Sequence, residues 1–522
     1  MTANDLFAAF ETLADAPDGV KRLRELVLQL AVRGKLVAQD PQDEPASTIT
    51  TELRRLRSSR RERATKDDGE ARELGFELPR GWETLPLAEM CSKIGAGSTP
   101  LGGAKVYVDD GVMFLRSQNV WNDGLRLHDV ARIVPDVHQR MAGTHVQPGD
   151  LLFNITGASI GRCGRVPSTF EPANVSQHVT IIRPYLATTQ HFLHLVLISD
   201  VVQRRVFAEE VGVSREGLSI AKLGRFPVPL PPLAEQHRIV ARVDELMGLL
   251  DRLEAARTAR DDVRRAARDA ALAALRDAED TDAVEAAWGR IAGKMDALFA
   301  EPEDVGLLRQ AVLELGVKGG FSPMDSGGWT RVPLRELLRE PLANGRSVPD
   351  GAGFPVLRLT ALRGKVVDTQ FQKLGAWTEE EGSRFQIEAG DLLVVRGNGS
   401  RDLVARASRV LTTEKVAYPD TAIRVRTKPE QVETEYLHYA WHSSGIRHQL
   451  ETRARTTNGI WKVSQGDLEA VEVPIPPLPE QHRIVAKVDA LMALCDALEA
   501  RLTTARDLHG QFAAAAVHHL DV

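Results

Sequence analysis

One 27-residue stretch is written twice in this chain. Residues 229–255 read PLPPLAEQHRIVARVDELMGLLDRLEA, and residues 474–500 read PIPPLPEQHRIVAKVDALMALCDALEA; about three quarters of the positions are identical. Three shorter pairs occur in the same order. LRELVLQLAVRGKL from Leu23 matches LRQAVLELGVKGGF from Leu308. Gly81-Trp82 with Pro86-Leu87 matches Gly328-Trp329 with Pro333-Leu334, and Gly149-Asp150-Leu151-Leu152 matches Gly390-Asp391-Leu392-Leu393. A repeat this long is no solenoid; it predicts two similar halves in tandem, hence a pseudo-twofold molecule.

Each half closes on a long helix. Pro231-Pro232 and Pro476-Pro477 set an extended entry, and Glu235 and Glu480 put an acid in the first turn. Apolar residues then follow at 4-3-4-3 spacing, as Ile239, Val243, Leu246, Leu250 and Leu253, and as Ile484, Val488, Leu491, Cys495 and Leu498. That period makes a coiled-coil seam, and two copies running antiparallel would satisfy each other; two helices on separate cores are the alternative. The first seam meets Arg257, Arg260 and Arg264, and helix is expected to continue through about residue 300. Residues 81–230 and 328–473 have another texture, with short Val, Ile, Leu and Phe runs broken by Gly, Pro, Asn and Asp. Helical patches follow near 191–211 and 435–451. The expected fold is therefore two α/β (α+β) blocks joined by long helices. The divisions are an N-terminal helical element at 1–40, a charged helix or linker without a core of its own at 41–77, a block at 78–228, a central helical region at 229–325, a second block at 326–473 and a closing helix at 474–522.

Composition bounds the rest. With 522 residues, 43% hydrophobic and 26% charged, the chain is a folded protein of several domains. No run approaches the ~20 apolar residues of a membrane span, and MTANDLFAAFETL carries acids where a secretory signal carries basic residues, so a cytoplasmic protein is expected. Cys91, Cys163 and Cys495 are too far apart to suggest a disulfide framework or thiolate zinc. The formal charge is −6, yet the two blocks are each near +2, leaving about −10 on the remainder. That leaves room for two DNA-facing blocks on an acidic frame.

Catalytic signatures are missing. Gly34-Lys35, Gly293-Lys294 and Gly364-Lys365 each precede an apolar residue rather than the Ser or Thr of a phosphate loop. No lysine has Asp or Glu two places before it, the spacing of restriction-type nucleases. Asn154-Ile155-Thr156-Gly157 is similar to an amino-methyltransferase loop but lacks the Pro-Pro-aromatic that grips a flipped base. His438 and His442 lie at i,i+4 without HExxH, and are expected at a surface or interface rather than on a metal. The chain reads as non-enzymatic, with no cofactor and no metal of its own.

What remains is polar loop chemistry. In the first block Arg116, Gln118 and Asn119 end one strand, Asn154, Thr156 and Ser159 follow another, and Ser214 and Arg215 precede the long helix. The second block offers Arg358 and Thr360, then Arg396, Asn398 and Ser400, then Thr457, Asn458 and Lys462. Arg matches guanine, Asn and Gln match adenine, and Ser, Thr and Lys reach phosphates; ordinary turn chemistry uses the same residue types.

The order GW…PL, GDLL and PPLxEQxRIV with a leucine helix, twice over, resembles the specificity subunit of type I restriction-modification systems. The resemblance covers nearly the whole chain. It implies two target-recognition domains reading a split double-stranded DNA site, and helical regions that dock two methyltransferase subunits. S-adenosylmethionine would come with those subunits, ATP and Mg²⁺ with the restriction/translocase subunits. Two other readings stay open at this point: the recognition chain of a related two-subunit methylase-nuclease, and an assembly scaffold whose blocks bind protein.

Overall fold

The computed structural model describes residues 14, 18–59, 74–211, 217–321, 329–457 and 459–521. The chain divides into two compact units, residues 1–257 with 508–522, and residues 258–507.

Unit 1 begins with α1 (Gly19–Val32), whose Leu23, Leu26, Val27, Leu30 and Ala31 recur at helical spacing and are buried. Gly34 ends it in the left-handed region at φ 67°, and a Cβ there would stand 2.5 Å from Pro79 and 2.9 Å from Trp82. Helix α2 (Ser47–Ser59) buries Ile49 and Leu53 in the same core, so the charged segment does lean on a core that is not its own. Strand β1 (Glu83–Pro86) opens the α/β block. There follow β2 (Cys91–Ala96), β3 (Tyr107–Val108), β4 (Val112–Leu115), β5 (Val120–Trp121), β6 (Gly124–Leu125), β7 (Ala131–Ile133), β8 (Leu151–Asn154), β9 (Cys163–Arg165), β10 (Ala173–Val175) and β11 (Val179–Pro184). Helices α3 (Gln190–Ile198) and α4 (Asp200–Val211) come next, then β12 (Pro227–Leu230). Two four-stranded sheets form, in order β10-β4-β7-β3 and β2-β11-β8-β9. Strands β1 and β12 pair antiparallel from Glu83↔Leu230 to Pro86↔Pro227, tying the block's entrance to its exit.

Helix α5 (Leu233–Arg276) follows; the helix expected through about residue 300 is interrupted at 277–280 before α6 (Thr281–Ala292), and α7 (Val305–Lys318) carries the second LRQAVLEL copy. Unit 2 then continues with β13 (Thr330–Pro333), β14 (Ala343–Asn344), β15 (Asp350–Leu357), β16 (Gln372–Gly375), β17 (Gln386–Ile387), β18 (Leu392–Val395), β19 (Gly397–Asn398), β20 (Ala407–Arg409), β21 (Glu414–Ala417) and β22 (Ala422–Val425). Helices α8 (Thr434–His442) and α9 (Ser444–Arg453), strands β23 (Arg455–Thr457), β24 (Ile460–Lys462) and β25 (Glu472–Ile475), and helix α10 (Leu478–Asp521) end the chain. The sheets are β14-β22-β18-β20, β16-β15-β21-β17 and β19-β24-β23, and β13 pairs with β25 as β1 does with β12.

The two heptad faces are buried, each in its own unit. Ile239, Val243, Leu246 and Leu250 share a core with α1, and Arg24 reaches Asp251 and Glu254 at 2.7 and 2.9 Å. Ile484, Val488, Leu491, Cys495 and Leu498 share theirs with α7. There Gly316 lets the helices close until a Cβ would stand 3.1 Å from Val488, and Arg309 pairs with Asp496 and Glu499. Both seams thus pack on the helix that carries the other repeated motif.

The repeated motifs have plain structural reasons. Asp150 and Asp391 are fully buried at the head of β8 and β18, each gripped by a two-pronged arginine: Arg183 at 2.7 and 2.8 Å, Arg426 at 2.6 and 2.8 Å. Gln236 and Gln481 donate back to the carbonyls of Pro231 and Pro476 at 2.9 and 2.8 Å, fixing the helix entry. Trp82 Nε1 donates to Glu235 at 2.9 Å; burial pushes that carboxyl above its usual range, and the Trp82 hydrogen bond works against the shift. The counterparts differ. Trp329 Nε1 is buried with no described partner, and Glu480 pairs with Arg483 at 2.6 Å.

Candidate nucleic-acid interface

In unit 1 four loops meet at one rim. The Ile155 amide donates to the His178 carbonyl at 3.0 Å, Leu218 to Ile155 at 2.8 Å, Ser176 to Leu115 at 2.9 Å and Gly97 to Val179 at 2.9 Å. These bonds gather residues 97–99, 116–119, 154–162 and 176–178, and bring the chain past Ile155 at Gly217. Gly217 has φ 84°, and a Cβ on it would come within 2.4 Å of Thr156, so no other residue fits there without a shift.

The rim splits the expected DNA contacts into two kinds. Asn119 and Asn154 are buried and spent on the scaffold. Asn119 accepts from the Arg116 amide at 2.9 Å and donates to the Arg126 carbonyl at 2.8 Å. Asn154 donates to the Ser117 carbonyl at 2.9 Å and to Ser159 Oγ at 3.1 Å, which also occupies Ser159. Both side chains are thus buried with hydrogen bonds inside the rim, while Asn154 Oδ1 has no described partner. Arg116 and Gln118 are exposed, and Thr156 meets His178 Nδ1 at 2.6 Å. Ser214 and Arg215 lie outside the described residues. Sequence reasoning passed over Thr99, Gln177 and His178, which extend the rim; Thr99 donates to Gln177 at 2.8 Å. Their signal was a polar Ser-Gln-His run directly before an apolar strand.

Unit 2 places Arg358 as unit 1 places Arg116, capping a 3₁₀ turn after the equivalent strand, with Thr360 half-buried inside the turn. The other candidates converge on one three-stranded sheet. Gly397 faces Lys462 and Asn398 faces Trp461, while Arg455 lies opposite Lys462 and Thr457 opposite Ile460. Arg396 and Lys462 are exposed beside one another's strands, and Asn398 turns the chain by accepting from the Ser400 amide at 3.0 Å. The Thr457 side chain and all of Asn458 lie outside the described residues. Among those described, no hydrogen bond joins 358–360 to 396–400. The hairpin itself was missed, although Asn458-Gly459 between two β-forming triplets is its strongest short-range signal.

No catalytic constellation emerges. Among the described residues no group of three or more His, Cys, Asp and Glu is placed to hold a metal, and no helix is long and apolar enough to cross a membrane. His438 and His442 are not at a surface: burial in the unit 2 core pushes them down to about 2 and about 4, as it does His194 in unit 1, to about 4. His438 is buried and His442 half-buried because α8 turns that face onto β20.

The structure thus presents two mixed α/β blocks, each with exposed polar loop residues. Residues 79–260 and 348–505 match the family model for the type I restriction modification DNA specificity domain, and the chain belongs to that family: it is a type I restriction-modification DNA specificity subunit, non-catalytic by role. It is similar to the type I restriction enzyme EcoEI specificity subunit of Escherichia coli, 23% identical over 94% of this chain and 91% of the relative. The EcoKI specificity subunit of Escherichia coli strain K12 is 24% identical over 82% and 86%. A solved chain from work on complex assembly and conformational transition of the type I R-M system shares the fold, with a TM-score of 0.53 at 20% identity over 85% of this chain and 98% of that one.

Proposed function

We propose that this chain reads a bipartite DNA target, one half-site per α/β block, with the blocks at 78–228 and 326–473. The helical regions at 1–40, 229–325 and 474–522 dock two methyltransferase subunits, and restriction/translocase subunits join that complex. S-adenosylmethionine, ATP and Mg²⁺ belong to those partners, and action on host and invading DNA makes the chain cytoplasmic. The observation that carries the reading is a constant frame with different rims. Both units keep the Asp–Arg grip, the paired entry strands and the Gln-capped helix, while residues at matching rim positions differ: Ile155 and Arg396 occupy the same place in the hydrogen-bond pattern, as do His178 and Thr421. A scaffold for identical partners would keep its rims alike.

Arg116, Gln118, Thr156, Arg358, Arg396, Asn398, Ser400 and Lys462 are the proposed DNA contacts. The two long helices are proposed to run antiparallel. The tandem repeat supports this, since a pseudo-twofold axis that exchanges the halves would reverse one helix against the other. With blocks near neutral in charge, the chain alone should bind weakly and with strong salt dependence, and the methyltransferase subunits should add phosphate contacts.

The test is to exchange residues 81–228 for the corresponding block of a relative and read the methylated motif in the host genome. One half-site should change and the other persist. A change in both would sink the two-reader model, and a motif without a gap would sink the bipartite one.

A further inference from the structure

Each block holds an arginine over an exposed or half-exposed indole, and the two blocks build this from unrelated parts of the sequence. In unit 1 the indole is Trp121, in the β5–β6 hairpin, 38% exposed. The hairpin is fixed at three points. Trp121 Nε1 donates to the Gln118 carbonyl at 2.9 Å, Asn122 accepts from the Cys163 amide at 3.0 Å, and Gly164 lets the hairpin backbone approach until a Cβ would stand 3.1 Å from the Trp121 carbonyl. Arg162, at the end of the loop after β8, lies 3.8 Å above the ring, and no described carboxylate pairs with it. Arg126 stands farther off, at 5.7 Å, and is engaged by Asp123 at 2.5 Å.

In unit 2 the indole is Trp461, on β24, a strand that comes after the helices rather than before β18. Its arginine is Arg401, 5.1 Å away, again in the loop after the Gly-Asp-Leu-Leu strand. One guanidinium nitrogen of Arg401 donates to the Glu451 carbonyl at 3.0 Å, which leaves its other N–H groups open.

The placement matters chemically. A free arginine loses rotamer entropy when fixed, whereas one held over a ring has already lost part of it and keeps its N–H edges open in the guanidinium's own plane. A planar, two-pronged donor matches guanine O6 and N7, whereas a phosphate can also be held by a point charge such as that of lysine. Both arginines also sit within the rims described above, Arg162 in the loop whose Asn154 ties to Ser117 and Arg401 beside Ser400.

We propose that Arg162 and Arg401 each read a guanine, in the first and second half-sites respectively, with Trp121 and Trp461 as positioning residues. This rests on the two-reader model. The experiment is selection from a pool of random duplexes by the full-length chain at low salt, wild type against R162A, R162K, W121A and W121F, with the R401 and W461 equivalents. R162A and R162K should both lose about 10- to 100-fold discrimination at one base pair of the first half-site, and W121A should follow them while W121F keeps the base. The untouched second half-site reports that each variant is folded. Uniform weakening by R162A that R162K restores would make the contact a phosphate one and overturn the proposal, as would an unchanged motif. If R162A loses both half-sites, R162K decides by the same criterion. A wild-type chain that selects no gapped motif would instead bring down the two-reader model itself.

Discussion

Trp82 and Trp329 are matching residues with unequal bonds. Trp82→Phe removes the indole N–H that the buried Glu235 carboxyl accepts and should cost about 1–3 kcal/mol. Trp329→Phe removes an N–H that has no described partner and should cost well under that. Denaturant midpoints of the two variants against wild type check the difference. Buried histidines make a second prediction. His194, His438 and His442 are held neutral by burial, so in acid the unfolded chain takes up protons first. Their contribution is intact above about pH 6.5. It is lost as pH falls from there toward about 4 for His194 and His442 and toward about 2 for His438, by up to about 1.4 kcal/mol per pH unit for each. Melting temperature measured from pH 7 to pH 5 should fall, and His194→Gln should flatten part of that slope; an unaltered slope would remove His194 from the account.

At the level of elements, the heptad faces were legible because a 3.5-residue apolar period forces burial whatever the partner. What they pack on was not legible: α1 and α7 lie far away in sequence and carry equally apolar stripes. Neighbouring leucines test the assignment. Leu250 is buried against α1 while Leu249 is 40% exposed, so Leu250→Ala should cost about 2–5 kcal/mol and Leu249→Ala little. Equal losses from the two, measured by thermal unfolding, would show that the seam is not the buried face. The α/β blocks were legible as short strands broken by turn residues, but the sheet orders were not, because β10 and β15 each pair parallel with a strand distant in sequence. The rim was half legible. Asn119 and Asn154 have the composition of base readers, and only the tertiary fold turns them inward.

For the whole molecule, the proposed function makes the antiparallel helices a ruler between the proposed half-sites. Each long helix changes unit at a defined place, Arg257/Thr258 in α5 and Asp507/Leu508 in α10. Seven residues inserted at both places keep the apolar faces in phase and lengthen each helix by roughly 10 Å at 1.5 Å per residue. The unread gap in the methylated motif should grow by about 3 base pairs, with both half-sites preserved. Because 3 base pairs also turn one half-site by roughly 100° around the duplex, affinity should fall alongside. An unchanged gap with full methylation would show that the helices do not set the distance.

The sequence by itself determined the duplicated helix motif, the long helices and the mixture of helix with short strands. Each of these is written in local period, spacing or residue type, which a chain cannot hide. It also marked Gly-Asp-Leu-Leu and PPLxEQ as fixed points without saying why. Only the tertiary structure decided that Asp150 and Asp391 are buried anchors for Arg183 and Arg426, and that the heptad faces lie on α1 and α7. It alone set two arginines against Trp121 and Trp461. Those are contacts between residues tens to hundreds of positions apart, and nothing local in a chain records which distant partner will satisfy a buried charge, an apolar stripe or an exposed ring.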